Sequence, residues 1–146
     1  MTDFKRVFID TAPIIYFLEN SSLYMETMRK FFIRCMEEHI QIVTSALTVE
    51  DYLVLPYSNE KMEYVDNFKR FIEYMNIEVV DIDSTIAEQG AMIRGQYKNF
   101  KAMDALQIAT AIVKKCDIFF TNDKQLRQEK ELPCMTMEDI SVKVRL

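Results

Sequence analysis

Four carboxylates stand at comparable places in the chain, each beside the start or end of an apolar segment. Asp10 follows an apolar segment in the stretch FIDTAP, and Asp123 follows another in FFTND. Asp51, with Glu50 beside it, and Asp104 stand near the start of segments with helical spacing. Oxygen ligands without His or Cys are the donor set that Mg²⁺ or Mn²⁺ prefers. Such ions commonly serve phosphoryl chemistry, which is therefore the first chemistry to consider.

Short apolar runs alternate along the chain with segments of helical periodicity. The apolar runs predict strands at residues 4–9, 40–44, 77–80, 117–121 and 134–136. The periodic segments predict helices at residues 11–20, 23–38, 45–55, 60–75, 84–97, 102–115 and 124–129. Pro56 is expected to end the third helix, and Leu23, Phe31, Phe32 and Cys35 are expected to face inward from the second. Short strands buried on both faces predict a parallel sheet with helices on each side.

A parallel sheet explains why carboxylates would follow its strands. Ligands bind beyond the carboxyl ends of such strands, at a switch in strand order, and Asp10 and Asp123 are expected there. Three of the aspartates, Asp10, Asp51 and Asp104, are each also explained, taken alone, as helix caps. Grouped and unpaired carboxylates repel one another, and a divalent cation resolves that conflict. Hydroxyl groups that could orient these carboxylates, or make local turn hydrogen bonds, are those of Thr11, Ser45 and Thr121.

Composition sets the remaining bounds. The chain has 146 residues with two Gly and three Pro, which predicts one domain over 1–146 without flexible linkers. Lys plus Arg is 18 and Asp plus Glu is 23, so the net charge of −5 disfavours a simple basic nucleic-acid binder but not a nucleic-acid enzyme. Three cysteines without a CxxC pair favour a reducing cytoplasm. No signal peptide or membrane span is expected.

Three stretches, taken in order and spacing, resemble the PIN domain: FIDTAPIIYFLE, SALTVEDYLVLP and MDALQIATAIVKKCDIFFTND. The VapC-type toxins of bacterial and archaeal toxin–antitoxin pairs are the most numerous small members of that family. The resemblance extends over residues 6–136. It implies a three-layer α/β/α sandwich with a central, mostly parallel sheet of about four to five strands, and a ribonuclease that depends on Mg²⁺ or Mn²⁺.

The resemblance also assigns roles to residues of this sequence. Asp10 matches the first family carboxylate, Asp104 the aspartate that opens the long helix, and Asp123 the aspartate of the T-x-D element, which Thr121 begins. It implies that these three carboxylates hold one or two ions for hydrolysis of RNA phosphodiester bonds, with Asp51 as a ligand or as a base that orients water.

The second motif departs from the family pattern. The family usually has a glutamate three residues after the threonine of S-x-x-T, and here Thr48 places Asp51 at that position, with Glu50 one residue early. One residue along a helix turns a side chain by about 100°, so the two side chains cannot face one ion equally well. The register favours Asp51, and Glu50 is the alternative.

Partners are implied in the same way. An RNA substrate, possibly tRNA, needs cations for its phosphates, and the candidates near the motifs are Arg94, Lys98, Lys101 and Lys124. Three aromatic side chains could stack on unpaired bases, or could equally pack in the core or at a partner interface: Tyr16, Tyr52 and Tyr97. Toxin members are usually held inactive by a small antitoxin that covers the acidic cleft, and they often form homodimers.

Two other functions remain open at this point. One is a metal-dependent phosphatase, although Ala12 stands where the usual second aspartate of a DxD pair would be. The other is a PIN fold that has lost turnover and binds RNA or protein, which the net acidity and Asp51 would suit.

Overall fold

Five parallel strands form the central sheet of this protein. A computed structural model describes the backbone of residues 4–143 and the side chains of residues 4–140. The strands are β1 (Arg6–Ile9), β2 (Gln41–Ser45), β3 (Glu78–Val80), β4 (Ile118–Phe120) and β5 (Cys134–Met135), in the spatial order β3-β2-β1-β4-β5. Each neighbouring pair is parallel. The strand order reverses at β1, and the residue that follows β1 therefore lies at the switch point where such sheets bind ligands.

Helices cover both faces of the sheet. They are α1 (Thr11–Leu18), α2 (Met25–Glu37), α3 (Ala46–Ser58), α4 (Met62–Tyr74), α5 (Ser84–Gln96), α6 (Ala102–Val113), a 3-10 helix (Lys124–Gln128) and α7 (Met137–Lys143). One apolar core packs five helices, α1, α2, α3, α4 and α7, against one face of the sheet. A second core packs α5 and α6 against the other face. The fold is thus the predicted three-layer α/β/α sandwich, and the sheet is parallel throughout.

Strand β1 shows why the sequence forms this sheet. Its side chains alternate between faces, so Val7 and Ile9 enter the core of α1 to α4 while Phe8 enters the core of α5 and α6. Phe8 stacks on Phe119 of β4 with ring centroids 5.1 Å apart. Val7, Phe8 and Ile9 are fully buried, so the strand that ends just before Asp10 is packed on both faces of the sheet.

The pair of helices α5 and α6 brings the long helix close to the sheet. Asp83 caps α5 by accepting a hydrogen bond from Ile86 N at 2.9 Å. Gly90 lies against α6, where an added Cβ would stand 3.1 Å from Leu106 Cδ2. Ala105 and Ala109 are fully buried. These small residues let α6 pack tightly, which sets the position of Asp104 in its first turn.

Two expectations about the elements were wrong, and one helix was not expected. Helix α3 continues through Pro56 to Ser58, because Pro56 is buried and the single hydrogen bond that its missing N–H costs does not end the helix. Leu23 precedes α2 and is 71% exposed, so it does not join Phe31, Phe32 and Cys35 in the core. Helix α7 was not predicted.

The helices have a further property in common. Within residues 4–143, none is both long enough and apolar enough to cross a membrane.

Candidate active site

All four predicted aspartates line one cleft at the carboxyl edge of the sheet. The cleft has a volume of about 530 Å³. Its lining consists of Asp10, Thr11, Ala12, Asp51, Lys101, Met103, Asp104, Gln107, Thr121, Asn122 and Asp123. The elements that supply the carboxylates are β1, α3, α6 and the segment after β4, which are far apart in sequence. The structure therefore brings together the residues that the sequence analysis selected separately.

Asp10 is held by three hydrogen-bond donors. Its Oδ1 accepts from Thr11 N at 2.9 Å and from Gln107 Nε2 at 3.3 Å. Its Oδ2 accepts from Thr121 Oγ1 at 2.8 Å. Burial nevertheless raises the pKa of Asp10, and the charge of Asp51 adds to this, while the three donors act in the opposite direction. Asp10 also caps α1, as its helix-cap explanation expected, and it lines the cleft with the other three aspartates.

Asp104 lies in the first turn of α6 and is half-buried. Burial raises its pKa, and the negative charges of Asp10 and Asp123 raise it further, against a smaller effect of Lys101. The cap residue of α6 is Lys101, which makes no side-chain capping bond. Asp104 is therefore not the N-cap residue itself, although it hydrogen-bonds to the backbone of Lys101, and its strongest charged neighbours are other carboxylates.

Asp123 and Thr121 follow β4 and connect to Asp10. Asp123 caps the 3-10 helix by accepting a hydrogen bond from Gln125 N at 3.0 Å. Its own N–H donates to Thr121 Oγ1 at 3.2 Å, and that hydroxyl in turn donates to Asp10. Thr121 is buried while Asp123 is exposed. The hydroxyl of Thr121 thus ties the end of β4 to the carboxylate at the end of β1.

Asp51 and Glu50 face different surfaces of α3. Asp51 lines the carboxylate cleft. Glu50 lines a separate groove that is otherwise mostly apolar, formed with Ala46, Val49, Leu53, Val54 and Tyr57. The placement follows from the 100° rotation between adjacent helical residues. The geometry therefore favours Asp51 over Glu50 as the contribution of α3 to the cleft.

The two other predicted hydroxyls do not contact a carboxylate through their oxygens. Ser45 Oγ donates to Gln107 Oε1 and accepts from Leu47 N, which caps α3. The Thr11 hydroxyl is buried and finds no hydrogen-bond partner among the described residues, although the Thr11 backbone N–H does reach Asp10.

Gln107 is the polar residue of the site that sequence reasoning missed. It is 2% exposed and hydrogen-bonds to Asp10, Thr48 and Ser45. The one signal in the sequence is its spacing, since Gln107 stands three residues after Asp104 and therefore next to it on the surface of a helix. A polar side chain that is buried needs hydrogen-bond partners, and those of Gln107 are residues of the site itself.

Of the residues expected to contact RNA, Lys101 lies in the cleft and Tyr16 lies beside it. Lys101 lines it, whereas Lys124 Nζ pairs with Glu138 Oε1 at 3.0 Å. Arg94 and Lys98 are exposed, in the last turn of α5 and in the connection to α6. Tyr16 accepts a hydrogen bond from Asn122 of the cleft at 2.6 Å.

The other two rings are engaged in stacking within the protein. Tyr52 is buried and stacks on Phe68, with ring centroids 4.5 Å apart. Tyr97 stacks on Phe100 at 4.9 Å. Tyr52 is therefore a core residue, and the expectation that it stacks on bases does not fit its position.

The donor set of the cleft suits a hard divalent cation. Four carboxylates meet there, and no described Lys, Arg or His side chain forms an ion pair with any of them. Among the described residues, no three His, Cys, Asp or Glu side chains stand close enough to form a complete ligand set. Mg²⁺ usually keeps several waters and takes one or two protein carboxylates. The cleft therefore fits a hydrated ion better than an ion enclosed by side chains.

A comparison with models of known protein families gives a match that agrees with this fold. The PIN domain family model matches residues 7–131 of the chain. The chain belongs to the PIN domain family. A comparison with curated protein sequences finds no match.

Solved structures with the same fold include toxin–antitoxin proteins. VapBC2 from Rickettsia felis, bound to a DNA fragment from its promoter, has a TM-score of 0.71 at 13% identity and covers 90% of this chain and 98% of its own. DNA-bound VapBC from Salmonella typhimurium has a TM-score of 0.72 at 18% identity, with 90% and 98% coverage. VapC20 from Mycobacterium tuberculosis, a toxin that cleaves the sarcin–ricin loop, has a TM-score of 0.63 at 14% identity, with 87% and 98% coverage.

Proposed function

We propose that this protein is a metal-dependent endoribonuclease of the VapC type, acting in the cytoplasm as a single domain. The observation that carries the proposal is the convergence of Asp10, Asp51, Asp104 and Asp123 on one cleft without a paired cation. Such a group is costly to keep charged on its own, and the raised pKa values of Asp10 and Asp104 express that cost. A divalent cation bound among the carboxylates would offset this cost, and membership of the PIN domain family supports a metal site here.

The proposed roles follow from the contacts of each residue. Asp10, Asp104 and Asp123 would hold Mg²⁺ or Mn²⁺, in part through the ion's water molecules. A bound ion of this kind neutralises phosphate charge and makes water a better nucleophile. Asp51 would be a further ligand or would orient and deprotonate the attacking water, in line with the phosphorus and the leaving oxygen. Thr121 holds Asp10 in place through its hydroxyl, and Lys101, exposed at the cleft, would bind a flanking phosphate.

The test is cleavage of labelled single-stranded RNA and of tRNA with Mg²⁺, with Mn²⁺ and with chelator. The double variant Asp10→Asn, Asp104→Asn serves to exclude a contaminating nuclease. We expect cleavage that requires the ion and is absent in the double variant. Cleavage that persists in the double variant, or in chelator, would contradict the proposal.

Two other outcomes would point to the alternative functions. Hydrolysis of a phosphomonoester, without cleavage of RNA, would identify a phosphatase. A folded protein that binds RNA but neither binds the ion nor cleaves would identify a binding module. The specific observation in favour of the binding module is Asp51, whose side chain is one methylene shorter than the glutamate usual in the family.

We further propose an antitoxin as protein partner and a homodimer as the working form. The support for the antitoxin is that two structures with the same fold are VapBC complexes on DNA, one of them on a fragment of its promoter. A partner segment that covers the cleft would need to offer a cation, since the cleft holds four carboxylates. Light scattering of the purified protein measures whether it is dimeric, and a monomer at micromolar concentration would contradict that part.

A further inference from the structure

Gln107 connects three elements beneath the cleft. From α6, its Nε2 donates to Thr48 Oγ1 of α3 at 2.7 Å and to Asp10 Oδ1, just after β1, at 3.3 Å. Its Oε1 accepts from Ser45 Oγ at the end of β2. Gln107, Thr48 and Ser45 are each 2% exposed or less. The bonds of Gln107 to Ser45 and Thr48 are thus shielded from water, where a hydrogen bond has its strongest orienting effect, and its bond to Asp10 is part-buried.

The backbone fixes which way the Gln107 amide faces. On one side, Ser45 Oγ accepts from Leu47 N at 3.1 Å, which leaves the Ser45 hydroxyl proton for Gln107 Oε1. On the other side, Thr44 Oγ1 lies 2.8 Å from the Ile9 carbonyl oxygen, a pure acceptor, and therefore donates its proton there.

The direction of the bonds then follows through the threonines. Thr44 and Thr48 hydroxyl oxygens are 2.8 Å apart, and since the Thr44 proton is used, Thr48 must donate to Thr44. Thr48 then has only acceptor capacity left for Gln107. The amide of Gln107 is accordingly held with its N–H₂ group toward Thr48 and Asp10.

This arrangement has a consequence for Asp10. Its three hydrogen-bond partners, Thr11 N, Thr121 Oγ1 and Gln107 Nε2, are all donors. Donors hold a carboxylate in its ionised form and in one orientation. A carboxylate has about four acceptor sites, so capacity remains for a cation in the cleft that Asp10 lines.

We propose that Gln107 is a positioning residue of the metal centre, whose Nε2 fixes the carboxylate of Asp10 for the ion. The inference rests on the proposed function and deepens it. Residues that hold a metal ligand by hydrogen bonds typically change metal affinity by about 10- to 100-fold when they are replaced. A residue that serves only packing would change the melting temperature but leave the ion affinity of the folded protein as it was.

The experiment compares Gln107→Met with Thr110→Val by calorimetric titration with Mn²⁺, below the melting temperature of each variant. Gln107→Met keeps the size of the side chain and removes the donor to Asp10. Thr110→Val removes a fully buried hydroxyl of the same helix, which donates to Leu106 O at 2.7 Å, and leaves every hydrogen bond of Gln107 in place. Where Gln107→Met does not fold, Gln107→Asn takes its place, because it withdraws the donor by one C–C bond length.

We expect a dissociation constant for Mn²⁺ that is about 10- to 100-fold higher in Gln107→Met and within about threefold of the original in Thr110→Val. In the RNA assay, kcat should fall in Gln107→Met with little change in KM, since Gln107 is only 2% exposed at the base of the cleft. Equal Mn²⁺ affinity in Gln107→Met and the original protein would overturn the inference and leave the proposed function intact. Absence of Mn²⁺ binding and of RNA cleavage in the original protein would overturn both.

Discussion

Carboxylates at the two edges of the sheet differ in their ion-pair and hydrogen-bond partners. At the amino edge, Arg6 Nη2 lies 3.1 Å from Glu78 Oε1, and Lys114 Nζ lies 3.7 Å from Glu78 Oε2. Asp117 accepts hydrogen bonds there from Lys5 N at 2.7 Å and Arg6 N at 2.8 Å. Glu78 and Asp117, the two carboxylates described here, thus have a cation or backbone donors of their own. Exposed ion pairs such as those of Glu78 contribute little to stability, but they leave no carboxylate of the pair without a partner.

At the carboxyl edge, four carboxylates share one cleft, and Lys101 is its one described cationic lining residue. Burial raises the pKa of Asp10, and burial together with two carboxylate neighbours raises the pKa of Asp104. Glu78 and Asp117 at the amino edge thus find partners within the chain, whereas none of the described Lys, Arg or His side chains forms an ion pair with the four carboxylates of the cleft. The proposed metal site rests on this difference more than on any single residue.

The largest effect expected from this difference is stabilisation by the ion. Mn²⁺ at 100 times its dissociation constant should raise the free energy of unfolding by about 2.7 kcal/mol, and the melting temperature by about 5–10 °C. Asp104→Asn should lose most of this gain, and Glu78→Gln at the amino edge should keep it. The measurement is thermal unfolding with and without Mn²⁺. An equal gain in both variants would show that the ion does not act through the cleft.

The next effect concerns adjacent residues of α3. Asp51→Asn should lower the rate of RNA cleavage about tenfold or more, because it removes a carboxylate that lines the cleft, a loss of about 1.4 kcal/mol in transition-state stabilisation. Glu50→Gln removes the same charge one residue away and should leave the rate within about twofold. Single-turnover cleavage rates decide between them. A larger loss in Glu50→Gln would reverse the assignment.

The smallest effect is the pH dependence of stability without a divalent ion. Because the pKa values of Asp10 and Asp104 are raised, the folded chain binds more protons at these groups than the unfolded chain does. Their contribution to stability is therefore full below about pH 4 and is lost as the pH rises through the folded-state pKa values. Asp104→Asn should match the original protein near pH 3.5 and exceed its unfolding free energy at pH 7.

Solvent screening of the half-exposed Asp104 keeps that gain below about 1 kcal/mol. Urea unfolding at both pH values measures it. A variant that is less stable than the original at pH 7 would show that Asp104 is satisfied within the chain.

Local rules were enough to predict most of this arrangement. Asp10 and Asp123 follow short apolar strands, and in a parallel sheet the carboxyl ends of neighbouring strands meet at one edge, so both could be placed from the sequence. The strands and the helices up to the 3-10 helix were predicted at or near their observed positions, because strand alternation and helical periodicity depend on neighbouring residues.

Features that depend on distant partners could not be predicted in the same way. The contribution of Gln107 depends on Ser45, 62 residues away in sequence, and on Asp10, 97 residues away. The sequence also left Asp51 and Glu50 as alternatives, since the facing of a helix depends on how α3 packs against α4 and the sheet. Leu23 was misplaced because its apolar side chain fits a helical pattern that begins only at Met25.

The central claim is that the carboxylates of the cleft are arranged for a divalent cation. The most direct measurement is a crystal structure grown with Mn²⁺, in which anomalous scattering locates the ion. We predict a Mn²⁺ peak in the cleft beside the carboxylates of Asp10 and Asp104, with oxygen ligands alone, and no such peak in Asp10→Asn, Asp104→Asn crystals under the same conditions. A cleft without Mn²⁺ at saturating concentration, in crystals that leave it open to solvent, would contradict the claim.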